Sequence, residues 1–233
     1  MTAPVRQPVS AGASKSVSPG RPKDLAKGAA ILEAAKRMFT LHGYEGVSMD
    51  QIAAEAGVSK LTVYSHFGDK DALFAAAVKS HCETQLPDTL FLEAQPSVPL
   101  RERLMTIARA FYAMISSPEA VAGHRILCSP QITASPLPAL FWQAGPQRIQ
   151  DGFAALLERR IDSGELRIDD VGRAAAQFFT LLKGEPHARL VFGCGDDARS
   201  LDIDAHLAAS VDLFLRAYSI ADDAVVRTPS RSS

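Results

Sequence analysis

The chain has 233 residues, 47% of them hydrophobic and 22% charged, and 25 basic against 26 acidic residues leave a formal net charge of −1. That length suffices for one large domain or two small ones, and the charge balance excludes a polycation that grips nucleic acid by bulk charge alone. No apolar run approaches the roughly eighteen residues of a membrane helix, which predicts a soluble protein without a membrane partner.

The charge is unevenly divided. Residues 1–79 carry ten Lys/Arg and seven Asp/Glu, residues 80–233 carry fifteen and nineteen, and residues 1–28 alone carry five basic residues and one acid. A basic front end suits contact with a polyanion. The first twenty residues lack the apolar core of a secretory signal. Three scattered cysteines, Cys82, Cys128 and Cys194, make neither a disulfide framework nor a zinc pattern, so a reducing cytoplasm is expected and no metal or cofactor.

Residues 1–22 are rich in Pro, Ser, Ala and Gly without hydrophobic period and read as a disordered basic arm ending near Arg21 and Lys23. From there helical periodicity dominates and strand signals are nearly absent, which predicts an all-α chain of about nine helices. The first helix should run from about Leu25 to His42, with Ile31, Leu32, Ala35, Met38 and Phe39 on one face, and stop at Gly43. Ser48-Met-Asp-Gln51 is a capping box that opens a short second helix, ended by the turn at Gly57. Ser59 caps a third that ends by Phe67-Gly68, and Asp69 caps a longer fourth carrying Leu73, Phe74, Ala77 and Val78. Pro87, Pro96 and Pro99 mark a domain boundary near residue 80. Amphipathic segments follow at about 100–116, 118–128, 137–163, 169–193 and 203–219, the fourth kinked by Pro186. The expected division is an arm (1–22), a first domain (23–80), a second (81–220) and a disordered tail (221–233).

Residues 48–67, SMDQIAAEAGVSKLTVYSHF, form two short helices around a glycine turn. Ile52, Ala53, Val58, Val63 and Phe67 are spaced to pack them at a steep angle, a helix-turn-helix whose second member, about 59–67, fits a major groove. With Val63 and Phe67 inward, Leu61, Thr62 and Ser65 point outward, Tyr64 and His66 flank them, and Ser59 and Lys60 sit in the first turn. Hydroxyl and basic groups there suit base edges and phosphates of double-stranded DNA. The bland alternative is a helical corner whose polar face meets water.

The stretch from Gly20 to about Val78 resembles the DNA-binding domain of TetR-family transcriptional regulators, through G-Y-x-x-x-S, then V-S-x-x-T-x-Y-x-H-F, then Lys70 and Leu73. The resemblance implies a homodimeric, nine- or ten-helix regulator, usually a repressor released from a palindromic operator by a small ligand. It implies that Lys60, Leu61 and Thr62 read bases and that Ser48, Tyr64, His66 and Lys70 hold phosphates. Leu61 departs from many relatives and suits a thymine methyl. FWQAGPQR at 141–148 and the helix interrupted by Gly184-Glu-Pro186 resemble the AefR-like ligand domains of the same family. On that footing residues 81–220 bind an apolar effector and dimerise through helices at about 169–193 and 203–219. Candidate lining residues are Phe111, Ile115, His124, Phe141, Trp142, Phe153, Phe178 and Phe179, for which an ordinary helical core is the competing reading.

Catalytic motifs are missing: there is no HExxH, GxSxG, SxxK or GxxxxGK, so no enzyme is expected. Two other functions stay open, an effector-independent DNA-binding or assembly dimer and a cysteine-based redox sensor.

Overall fold

The computed structural model describes residues 20–92, 98–194 and 201–220. The expected arm up to residue 19 and the tail 221–233 lie outside them, as do the side chains of residues 20–23. The helices are α1 (Gly20–His42), α2 (Met49–Glu55), α3 (Lys60–Phe67), α4 (Lys70–Gln85), α5 (Leu100–Ser116), α6 (Pro118–Leu127), α7 (Pro130–Thr133), α8 (Leu137–Trp142), α9 (Arg148–Asp162), α10 (Val171–Phe192) and α11 (Ile203–Tyr218). Among the described residues the extended pairing is limited to one antiparallel bridge, Leu166 with Ser219. The chain is all-α, an N-terminal helix-turn-helix domain followed by a helical C-terminal domain.

α1 starts at Gly20, five residues earlier than its apolar period suggests. Pro22 falls in the first turn, where backbone N–H groups have no helical partner and a missing one costs nothing. The next three helices start where local chemistry dictates. Ser48 Oγ accepts from the Gln51 N–H at 3.3 Å while Gln51 Oε1 accepts from the Ser48 N–H at 2.8 Å. Ser59 accepts from the Thr62 N–H, and Asp69 from the Ala72 N–H. Each contact satisfies a donor the helix leaves open. Gly57 (φ +66°) takes the left-handed conformation that turns α2 into α3.

Buried apolar residues gather in two clusters. The first joins Ile31, Ala34 and Ala35 of α1 to Val47, Met49, Ile52, Ala53, Val63 and Leu73. The second centres on Leu104, Ile107, Phe111, Phe153, Phe178, Leu182, Val211 and Phe214. α4 serves both, with Leu73 in the first cluster and Cys82 in the second.

The segment expected as one helix over 137–163 is divided. Pro146 has no N–H for the regular ladder, and Gln143–Gln147 widens into a π-turn between α8 and α9. That turn presses on α4: a Cβ on Gly145 would stand 3.2 Å from both Val78 Cγ1 and Cys82 Sγ. Arg148 then reaches Asp88 at 2.8 Å and Glu83 at 3.0 Å. The break in α10 also differs in detail from expectation. The non-helical residue is Gly184 (φ +47°, ψ −158°), two positions before Pro186. The carbonyls freed there find partners on α11, Leu182 O with His206 Nε2 at 3.1 Å and Leu181 O with Ser210 Oγ at 3.4 Å.

A Cβ at residue 184 would meet His206 Cε1 at 2.6 Å in a backbone conformation that side chains resist. Gly184→Ala is therefore expected to cost about 2 kcal/mol or more, read as a lowered denaturation midpoint. An unchanged midpoint would show that the break relaxes freely.

Candidate nucleic-acid interface

Val63 is fully buried against α1 and α2, and this sets the rotation of α3. With it locked inward, Lys60, Leu61 and Ser65 are exposed on the opposite side, Leu61 at 78%. Leu61 thus lies on the face expected to meet DNA. Thr62 is half-buried, its hydroxyl 2.8 Å from that of Ser59. Lys60 leans back to Asp50 of α2, Nζ to Oδ1 2.8 Å, with both side chains mostly exposed.

Ser48, Tyr64 and Lys70 come from three different elements, yet they line one open slot of about 450 Å³, together with Gly46, Met49 and Gln51. Glu45 and Asp69 stand at the same slot. Lys70 Nζ lies 4.1 Å over the ring of Tyr44, whose hydroxyl donates to Asp71. Tyr44 is itself clamped by Phe39 and Phe74, at centroid distances of 5.9 and 5.4 Å. Its hydroxyl is pushed well above the usual tyrosine range by burial and by Asp71. The cation–π contact thus holds the lysine stem on a rigid aromatic base.

His66 departs from the expected arrangement. Its ring packs on α1 beside Gly28, with Nε2 3.0 Å from the Asp24 carboxylate and the side chain 18% exposed. It braces α3 against α1. The Arg21 and Lys23 side chains lie outside the described residues.

In the C-terminal half the structure brings Phe111 and Phe179 together at 4.7 Å, and Phe153 stacks on Phe178 at 4.5 Å. His124 meets His187, which sequence reasoning had not singled out, at 5.5 Å beside Ile115. Phe141 is half-buried, and Trp142 points outward, 47% exposed, donating to Gln147. These last two stand apart from the aromatic cluster. An open concavity of about 470 Å³ lies instead between α5 and the start of α11, lined by Arg109, Tyr112, Ile203 and Leu207 among others. Burial pushes the Cys82 thiol up to about 11, while Cys128 and Cys194 are exposed. Among the described residues no cluster of three metal-ligating side chains occurs, and no helix is long and apolar enough to cross a membrane.

Residues 31–77 match the family described as bacterial regulatory proteins, tetR family. Residues 102–220, just over half of the chain, match the AefR-like transcriptional repressor C-terminal domain. The chain belongs to the TetR family. Among solved structures, a TetR-family transcriptional regulator from Mesorhizobium loti MAFF303099 is 27% identical, with a TM-score of 0.69 over 85% of this chain and 99% of that one. The flavonoid-responsive regulator FrrA is 31% identical, with a TM-score of 0.64 over 84% and 98%. The transcriptional repressor AcnR of Corynebacterium glutamicum is 27% identical over 60% of this chain and 68% of its own length. The TetR-family chain is accordingly a DNA-binding transcriptional regulator and not an enzyme.

The contacts of Asp50 and Tyr44 escaped sequence reasoning, because each reaches a lysine on another element, Asp50 to Lys60 and Tyr44 to Lys70. Asp50 neutralises the cation at the entrance of α3. Asp50→Asn is expected to raise affinity for every duplex by about two- to fivefold, the worth of an exposed ion pair, and to narrow the gap between specific and random sequence. Titrations on both kinds of duplex check this; unchanged affinities would make the pair ornamental.

His187 supplies a pH test. Burial, His124 and Lys183 push its ring down to about 4, from an ordinary value of 6.5. Below pH 6.5 the unfolded chain therefore binds a proton that the folded chain refuses. Stability from this group is complete above pH 6.5 and is lost as pH falls toward 4. The melting temperature should decline over that window in the wild type and less steeply in His187→Gln. Parallel profiles would remove His187 as the cause.

Proposed function

We propose that the chain is a homodimeric repressor that places two copies of α3 in successive major grooves of a near-palindromic operator and is released by a small effector. The observation that carries the DNA-binding part is the exposed face of α3, Lys60, Leu61 and Ser65, turned outward by the burial of Val63. In this reading Leu61 and Thr62 meet base edges with Lys60. Ser48, Tyr64 and Lys70 take a phosphate in their shared slot, and Ser59, Ser65, Arg21 and Lys23 add flanking contacts. His66 reaches a phosphate only by leaving Asp24. Recognition helices of a symmetric dimer sit roughly 34–36 Å apart, which sets the half-site spacing.

The domain division falls at about residue 80, within α4, since α4 joins both clusters. Dimerisation is assigned to α10 and α11. On α11, Ala205, Ala209, Leu213 and Ala217 repeat every fourth residue and are all exposed, a smooth apolar stripe suited to a second copy. Repression follows the AefR-like description and the name of AcnR, and effector response follows that of FrrA. An effector that favours one separation of the recognition helices needs a coupling of only about 1–3 kcal/mol to change operator affinity roughly 5–150-fold. α4 is the natural lever, with Lys70 at one end and the π-turn against the other.

One observation favours a second reading, an effector-independent DNA-binding dimer. Phe153, Phe178, Phe179 and Phe214 contact one another at 4.5–6.2 Å and fill the centre of the C-terminal half.

Selection of bound fragments from the source genome, followed by quantitative binding, tests the proposal. A palindromic consensus is expected, and Tyr64→Ala should weaken binding in a folded protein. Lys70→Ala should lower the log–log salt slope by about one. No enriched sequence, or an unchanged slope, would contradict the interface. A ligand screen that yields only stabilisers without effect on DNA binding would favour the effector-independent dimer.

A further inference from the structure

Three basic side chains meet where α6 passes the break in α10. His124 of α6 and His187 of α10 stand edge to face, with ring centroids 5.5 Å apart. Lys183, just before the break, is close enough for its charge to act on both rings. His187 is 6% exposed, whereas His124 and Lys183 are half-buried. The cluster therefore has a closed inner end and an open rim.

None of the three has a counter-charge among the described residues. Lys183 makes no ion pair or hydrogen bond there, and no described carboxylate touches either ring. The neighbouring charged groups are committed elsewhere. Glu185 pairs with Arg189 at 2.6 Å. Arg125 donates to the carbonyls of Leu190 and Val191. From α11, His206 is held by the Leu182 carbonyl at 3.1 Å. Glu119, at the start of α6, acts instead on His81.

Burial pushes all three groups toward their neutral forms. Three adjacent bases in a half-dry setting without an acid are unfavourable for the protein alone, and an anion among them reverses that penalty. The surroundings add a second chemistry. Phe111 lies one turn before Ile115 on α5, and Phe179 one turn before Lys183 on α10, so each pair shares a helix face. Phe111 and Phe179 touch at 4.7 Å. A basic rim thus stands one helical turn from an aromatic floor.

We propose that the crossing of α6 and α10 binds the carboxylate of a small apolar acid, with Lys183 and His124 around the head, His187 behind them, and the ligand body directed toward Phe111 and Phe179. Lys183 supplies the charge and the His124 imidazole an N–H donor, while the single N–H of neutral His187 is held by the Ile115 carbonyl. Entry of the ligand body parts the Phe111–Phe179 contact. The site narrows the effector reading above from any apolar molecule to an organic acid, and rests on that reading only for its consequence at DNA.

The test uses the full chain and matched probes: hexanoate, phenylacetate and 2-naphthoate, each beside its uncharged amide. At least one acid should bind about tenfold or more tightly than its amide, the factor a charge-assisted hydrogen bond supplies. Lys183→Met keeps the buried stem and should erase the preference without lowering the melting temperature of the unliganded protein. His124→Gln, at a half-exposed position, should reduce it. Equal binding of every acid and amide, or a preference that survives both substitutions, overturns the proposal. Operator release, measured in parallel, separates the two claims. An acid that binds here without releasing DNA leaves the site standing and defeats sensing. An amide that releases DNA as well as its acid sustains sensing and defeats the site.

Discussion

The inward packing of Val63 governs what this protein offers to DNA. A helix of eight residues has little stability alone, and its rotation is fixed only by what it buries. Val63 inserts among Ile31, Ile52 and Leu73, and His66 braces the far end of the helix on Asp24 of α1. Every side chain on the outer face then takes its position from that one insertion. The exposure of Leu61, which no core requirement explains, follows from it.

α4 extends the same logic to the rest of the molecule. Its first turn holds Lys70 over the ring of Tyr44, and its later turns carry Val78 and Cys82 against the π-turn. α4 thereby links the turn at Gly145 to the slot lined by Ser48, Tyr64 and Lys70 through one continuous helix. The missing side chain of Gly145 lets the backbone of the π-turn approach α4 this closely. The break at Gly184 has a comparable role on the other side of the domain, placing His187 beside His124.

Features encoded within a few residues were legible before any coordinates. The caps at Ser48, Ser59 and Asp69, the turn at Gly57 and the inward phase of Val63 depend on neighbours in sequence, and the structure has each of them. Features fixed by distant partners were not. Pro186 pointed to a kink, but the residue that absorbs it is Gly184, because α11 offers His206 and Ser210 to the freed carbonyls. Trp142 was a lining candidate on the footing of the family resemblance, and it points outward instead, donating to Gln147 just past α8. The ion pair of Lys60 with Asp50 and the turning of His66 onto Asp24 are contacts between helices, which periodicity does not register. Assignment of the DNA-contacting residues leaned on family resemblance for the roles and on local chemistry for the placement.

The central claim is that the outer face of α3 reads base sequence. Selection from a random duplex library, with the wild type and with Leu61→Arg side by side, tests it most directly. The account predicts two consensus sequences that differ at symmetry-related positions of both half-sites while half-site spacing is retained. An identical consensus from a folded Leu61→Arg protein would contradict it.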